Sequence, residues 1–203
     1  MKLTIIQYIA GIFFSAAITN NILFTRFLGI CPAAGVGRDP KAATFMGLIV
    51  MALMTVSAPV NLLLYRFFLA KETSILHIDL SYLSFVVFML VIAALVQLIE
   101  MIAEKMMPDS AGTLGIYLPL AAVNCAILGA SLFLLEADMH PALSPVYGLG
   151  CGAGWLLAAW IFSALEMRLA SSDVPESLKG GGMTLIAAGI MAVAFMGFSG
   201  ITL

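Results

Sequence analysis

Residues 42–68 read AATFMGLIVMALMTVSAPVNLLLYRFF, a stretch whose only charged side chain, Arg66, stands near its end. A hydrocarbon layer about 30 Å thick is crossed by roughly 20 apolar residues in a helix, so this stretch reads as a membrane span. Five more segments pass the same test, at 3–28, 82–102, 114–135, 146–165 and 183–203. The connectors at 35–41, 71–80, 105–112, 136–145 and 168–182 hold helix breakers and charges, as interfacial loops do. The sequence therefore predicts an all-α integral membrane protein of six transmembrane helices, one membrane domain spanning 1–203.

Composition supports this. Of 203 residues 63% are hydrophobic and 10% charged, where a soluble domain carries about 25% charged residues; the mean hydropathy is +1.11. No connector is long enough to form a soluble catalytic domain. With a formal net charge of −2 and no run of Lys or Arg, nucleic acid is excluded as a partner and the lipid bilayer is the expected surroundings. The first apolar run lacks a small-residue cleavage site and is expected to stay as a span. Cys31, Cys125 and Cys151, odd in number and far apart, make no disulfide framework.

Arg38, Lys41, Lys105, Arg168 and Lys179 fall in the odd-numbered connectors, against Lys2, Arg66 and Lys71 on the other side. Basic residues mark the cytoplasmic face, so both termini are expected outside. Three spans in one sense followed by three in the other is the plan of two inverted three-helix repeats, with halves near 1–107 and 108–203. Cys31 and Cys125 lie 94 positions apart, and each has an asparagine and a breaker nearby: Asn20, Asn21, Gly29 and Pro32 for the first, Pro119 and Asn124 for the second. Interrupted first and fourth spans are expected, because broken helices at matching places point to a midplane site.

From spacing alone the two thiols have two readings, as compact hydrophobes or as soft ligands of a metal centre such as an iron–sulfur cluster. A 2Fe-2S cluster needs four ligands, so two would have to come from another chain. Cys151 sits among Gly148, Gly150, Gly152 and Gly154, a string without a preceding strand. It reads as close helix packing and not as a dinucleotide fingerprint.

Glu100 follows Gln97 by three residues and shares its helical face. Near a helix end it reads as a snorkelling carboxylate or an ion ligand. Arg26 reads as a headgroup contact. Asn20, Asn21, Asn61 and Asn124 read as interhelical hydrogen-bonding groups or, for Asn20, Asn21 and Asn124, as part of an ion path with Glu100. His77 and His140 are expected in solvated loops. No Ser-His-Asp set, nucleotide-binding loop, HExxH helix or calcium loop is present.

The strings FLGICP (27–32), ALVQLIEM (94–101), LGIYLPLAAVNCAILG (114–129), VYGLGCGAGWLLA (146–158) and SDVPESLKGGGMTLIAAGIMAVAFMGFSG (172–200) occur in one order along the chain. Together they resemble the paired membrane subunits of the sodium-pumping NADH:quinone reductase (Nqr) and the related Rnf complex. SAPVN (57–61), DLSYLSF (79–85) and SDVPESLKG (172–180) resemble the E-type subunit of the reductase, whereas TNNILFTRFLGICP (19–32) resembles the A-type subunit of Rnf, a ferredoxin:NAD ion-translocating complex. The balance lies with the E type.

The resemblance implies membership of a six-subunit NADH:ubiquinone translocase in the bacterial inner membrane, as a component inactive alone that relays electrons and contributes to a sodium passage. It implies a pseudo-symmetric pairing with a homologous D-type subunit and a 2Fe-2S cluster shared between the two. Cys31 and Cys125 are the matching ligand positions in this chain. FAD, FMN and riboflavin are expected only in other subunits. Cys125 falls mid-span and Cys31 at a span's end, so a shortened or re-entrant first helix is expected to bring them level. The rival of another class is a stand-alone secondary transporter, and a further one is a purely structural anchor.

Overall fold

The computed structural model describes residues 2–36, 39–69, 81–106, 119–172, 175 and 180–197. Every regular element among them is helical, which is what a lipid-embedded chain must adopt when backbone polar groups have no water to bind.

Helix α1 (Lys2–Phe14) continues as a π-type turn through Ser15–Thr19, and after an irregular stretch the short α2 (Ile30–Val36) follows. Helix α3 (Pro40–Leu64) starts where Asp39 accepts the Lys41 N–H and Pro40 occupies the first turn, an arrangement in which neither orphan donors nor the missing proline N–H is costly. It ends in a second π-type turn, Tyr65–Leu69. Helix α4 (Ser84–Met106) is the least buried of the long helices, packing on α3 and on the helix Cys125–Glu136 through Phe88, Ile92 and Val96. Residues 119–122 are helical, α5 (Cys125–Glu136) resumes after them, α6 (Ser144–Ala170) is the longest helix, and α7 (Gly181–Met196) closes the order.

Among the described residues, four stretches are long and apolar enough to cross a bilayer: Pro40–Leu69, Ser84–Ile102, Pro119–Glu136 and Pro141–Ala170. Two shorter apolar helices, Ile6–Thr19 and Gly181–Met196, accompany them. The expected first span at 3–28 is thus shorter than read and broken at Asn20, and the sixth ends its described helix at Met196; residues 198–203 lie outside the described part, as do the connector 71–80 and His77.

Helix α6 is the hub, with 56% of its span buried against 17% for α4. Its glycines explain how. Gly148 and Gly152, one turn apart, meet α3: a Cβ at Gly152 would fall 2.5 Å from Met51 Cα, and one at Gly148 2.5 Å from Met54 O. Gly150 and Gly154 occupy another face and meet α1, the first against Phe13 and Ala16, the second 2.5 Å from Ala17 O. Residue numbers rise together along α1 and α6 and oppose each other along α3 and α6, so α1 is parallel and α3 antiparallel to the hub. Backbones approach this closely only where side chains vanish, the usual device of helix pairing in lipid. Cys151 is buried between the two glycine faces. Around this seam lie Met46, Val50, Leu53, Met54, Trp155 and Phe162, all buried.

Candidate functional site

Two apolar stretches among the described residues are interrupted, at residues 20–29 and 123–124. At the first break the α1 π turn closes with Asn20 N–H on Ser15 O at 2.8 Å, and residues 20–29 leave the helix before α2 resumes at Ile30. Asn21, fully buried, organises the excursion. Its amide nitrogen donates to Ala17 O at 3.0 Å and Gly154 O at 2.9 Å, and its oxygen accepts from the Leu23 N–H at 3.0 Å and the Phe24 N–H at 3.4 Å. Phe27 and Gly29 adopt left-handed backbone, φ 56° and 82°. Gly29 has no room for a side chain: a Cβ would sit 2.5 Å from Trp155 Nε1 and 2.8 Å from both Ala126 Cβ and Asn124 Oδ1.

The second break is two residues long, Val123 and Asn124. Asn124 is the N-cap of α5, its oxygen accepting the Ala126 N–H at 3.0 Å, and Cys125 is the first residue of the new helix. Asparagine serves here because its short side chain folds back onto the free amides of the first turn.

The two breaks meet. Gly29 donates its N–H to Cys125 Sγ at 3.0 Å, and its carbonyl accepts from Trp155 Nε1 at 3.3 Å. Cys125 is thereby placed against backbone two residues before Cys31. Both thiols are free and exposed on the chain's own surface, whereas Cys151 is buried. Phe27, 51% exposed, and Val123, 72% exposed, belong to the same two breaks. Among the described residues no group of three or more His, Cys, Asp or Glu is arranged to hold a metal ion, so any metal at the thiols needs ligands from elsewhere.

The remaining residues singled out from sequence scatter. Asn20 is exposed, donating to Ser15 Oγ at 3.3 Å, and lines a cavity of about 610 Å³ with Gln7, Tyr8, Arg26, Glu136 and Tyr147. Arg26 lies over the Phe133 ring, 4.6 Å from its centroid. Glu100 is half-buried on α4 with no hydrogen bond or ion pair to the asparagines among the described residues. Asn61 donates to Ser131 Oγ at 2.9 Å across α3 and α5, an interhelical link as read. His140 accepts the Ala142 N–H on the loop before α6. Sequence reasoning passed over Trp155 and treated Gly29 only as a breaker; the juxtaposition of Gly29 with Cys31 in LGIC was the available signal.

Residues 9–202 match the family described as Rnf-Nqr subunit, membrane protein. Among curated relatives, a protein of Nitrosomonas europaea, named as the E subunit of the Na(+)-translocating NADH-quinone reductase, is 44% identical over 199 residues, covering 96% of this chain and 98% of that protein. Proteins with the same name from Aeromonas hydrophila (44% identity; 91% of this chain, 93% of that protein) and Marinobacter nauticus (40%; 97% and 100%) are similar along nearly their whole lengths. Matched from end to end, and apolar in four stretches long enough to cross a bilayer, the chain is a multi-pass membrane protein belonging to the Rnf-Nqr subunit family.

Proposed function

We propose that this chain is the E-type membrane subunit of a sodium-translocating NADH:quinone reductase, in which Cys31 and Cys125 supply half the ligands of a 2Fe-2S cluster shared with a homologous D-type subunit. The observation that carries the reading is the meeting of the two helix breaks, with Gly29 N–H on Cys125 Sγ and both thiols facing outward.

The residues fit such a group. Thiolates are the ligands iron–sulfur clusters take, and here two stand exposed at the ends of half-helices, where a partner with the same arrangement could complete a set of four. Irregular backbone at membrane depth is tolerated only where protein covers it. Phe27 and Val123, exposed apolar residues at the two breaks, are where a covering partner would pack in this reading. When bound, the cluster would supply one-electron transfer between carriers on the two sides of the bilayer. This chain's residues would hold its position: Asn21 and Trp155 tie the first break to α6, and Asn124 fixes the start of α5 beneath Cys125. The positive end of the α5 dipole then lies at the negative charge that thiolate ligation brings.

In this reading the chain crosses the bacterial inner membrane six times as two inverted halves, with both termini outside, and flavins reside in other subunits. Asn20, Asn21, Asn124 and Glu100 remain the residues to probe for sodium passage. The relatives bear the reductase name, which favours Nqr over Rnf.

The test is iron, acid-labile sulfide and EPR analysis of the purified complex, wild type beside Cys31→Ser and Cys125→Ser. Loss of the cluster signal and of NADH:quinone activity in both variants, with the complex still assembled, is expected. Unchanged iron and electron transfer would overturn the reading, as would iron-free transport activity by this polypeptide alone.

A further inference from the structure

The cavity of about 610 Å³ beside α1 is lined by one cation and one anion, Arg26 and Glu136, both exposed. The Arg26 guanidinium lies 4.6 Å from the centre of the Phe133 ring. Glu136, three residues further on, shares the helical face of Phe133. The two charges therefore stand over the same end of α5. They are not paired with each other: among the described residues the only ion pair joins Arg66 to Asp138, 3.4 Å apart.

The cavity lies where two spans end. Glu136, Ala137 and Met139 of its lining belong to the turn between Pro119–Glu136 and Pro141–Ala170. Span ends are where the hydrocarbon layer gives way to lipid headgroups. From that turn the cavity reaches along α6 to Tyr147 and Cys151, the latter about 10 Å along the helix from Ser144 at 1.5 Å per residue. Ile12, Ile22 and Phe133 are apolar parts of its wall, and Tyr8 and Tyr147 are of the type that sits at the boundary between lipid and water. On the α1 side Gly11 leaves the space open, because a Cβ there would meet nothing within 4 Å.

A simple cation is repelled by Arg26 and a simple anion by Glu136. A molecule that carries both charges on an apolar tail suits the whole wall. We propose that this cavity binds one phospholipid with an ethanolamine headgroup, its phosphate accepting from Arg26 and its primary ammonium donating to Glu136, while its upper acyl chain lies against Ile12 and Ile22. The arginine fork matches phosphate oxygens. A carboxylate accepts from the N–H groups of a primary ammonium, which a quaternary choline does not have. Neither Cys31 nor Cys125 lines this cavity, so the lipid site stands or falls apart from the cluster.

The test places the purified complex in vesicles of equal parts phosphatidylethanolamine, phosphatidylglycerol and phosphatidylcholine, extracts it again in mild detergent, and counts the retained lipids by mass spectrometry. Gly11→Leu, which fills the cavity from a position with room for it, is expected to retain one phosphatidylethanolamine fewer per complex than wild type. Arg26→Gln is expected to do the same. Glu136→Gln leaves the cation alone and is expected to exchange that ethanolamine lipid for one phosphatidylglycerol. Equal retention by wild type and Gly11→Leu, with the complex assembled, overturns the proposal and means that a neighbouring polypeptide or water fills the cavity. If Arg26→Gln does not assemble, Gly11→Leu and Glu136→Gln decide. Loss of phosphatidylglycerol or phosphatidylcholine in place of phosphatidylethanolamine in Gly11→Leu overturns the choice of headgroup, as does an unchanged lipid ratio in Glu136→Gln.

Discussion

The first helix break spends ten residues, 20–29, and the second spends two, 123 and 124, yet each delivers a cysteine within the first two positions of a resumed helix. The long break needs left-handed backbone at Phe27 and Gly29 and is stapled to a neighbouring helix through Asn21 and Gly154. The short break is self-contained, an asparagine capping its own helix. The same placement of sulfur is thus reached by tertiary bonds in one half and by local bonds in the other. It follows that the first break should depend on the seating of α6 and the second should not.

The strongest way to break that contrast is Gly154→Leu. Its side chain would drive into Ala17, where even a Cβ would lie 2.5 Å from the carbonyl oxygen, and overpacking of this kind costs upwards of about 3 kcal/mol. Failure of the subunit to accumulate in the assembled complex is expected, read by size-exclusion chromatography in detergent. Gly29→Ala comes next, since it combines a left-handed φ with contacts at 2.5 and 2.8 Å; roughly 2–4 kcal/mol of destabilisation is expected, measured as a lowered thermal midpoint of the detergent-solubilised complex.

The asparagines sharpen the comparison. Asn21→Ala removes four buried hydrogen bonds and should cost about 2–3 kcal/mol, whereas Asn124→Ala loses one cap and should cost about 1 kcal/mol. Equal losses in the same thermal assay would erase the distinction between a tertiary and a local break. At the small end stands Arg66→Ala. The Arg66–Asp138 pair is 3.4 Å apart with an aspartate side chain 96% exposed, and exposed pairs add little, so no measurable change in thermal midpoint is expected.

Much of the architecture was legible because span length in lipid is set by bilayer thickness, and apolar runs show it directly. Asn20, Asn21, Gly29 and Pro32 announced an interruption, and the need to bring Cys31 level with Cys125 announced a shortened first helix. What stayed hidden was where the helix stops. Five of residues 22–28 are apolar, Thr25 and Arg26 being the exceptions, and in a membrane a turn buried by protein has much the same composition as a helix, so the apolar run did not show where the helix stops. The glycine string at 148–154 read correctly as close packing, but that it serves two partners depends on helix placement. The bonds from Gly154 to Asn21 and from Trp155 to Gly29 join residues 133 and 126 positions apart, and no local pattern records them.

Gly29 carries one such bond on each side, to Cys125 through its N–H and to Trp155 through its carbonyl. Tolerance to change at these three positions should therefore be shared and not individual. A smaller indole replacement vacates space that glycine alone cannot use, and a bulkier residue at 29 would need both neighbours to yield together. Random mutagenesis of this subunit should recover compensated pairs at other buried contacts far more readily than here, where three distant codons behave as a single inherited unit.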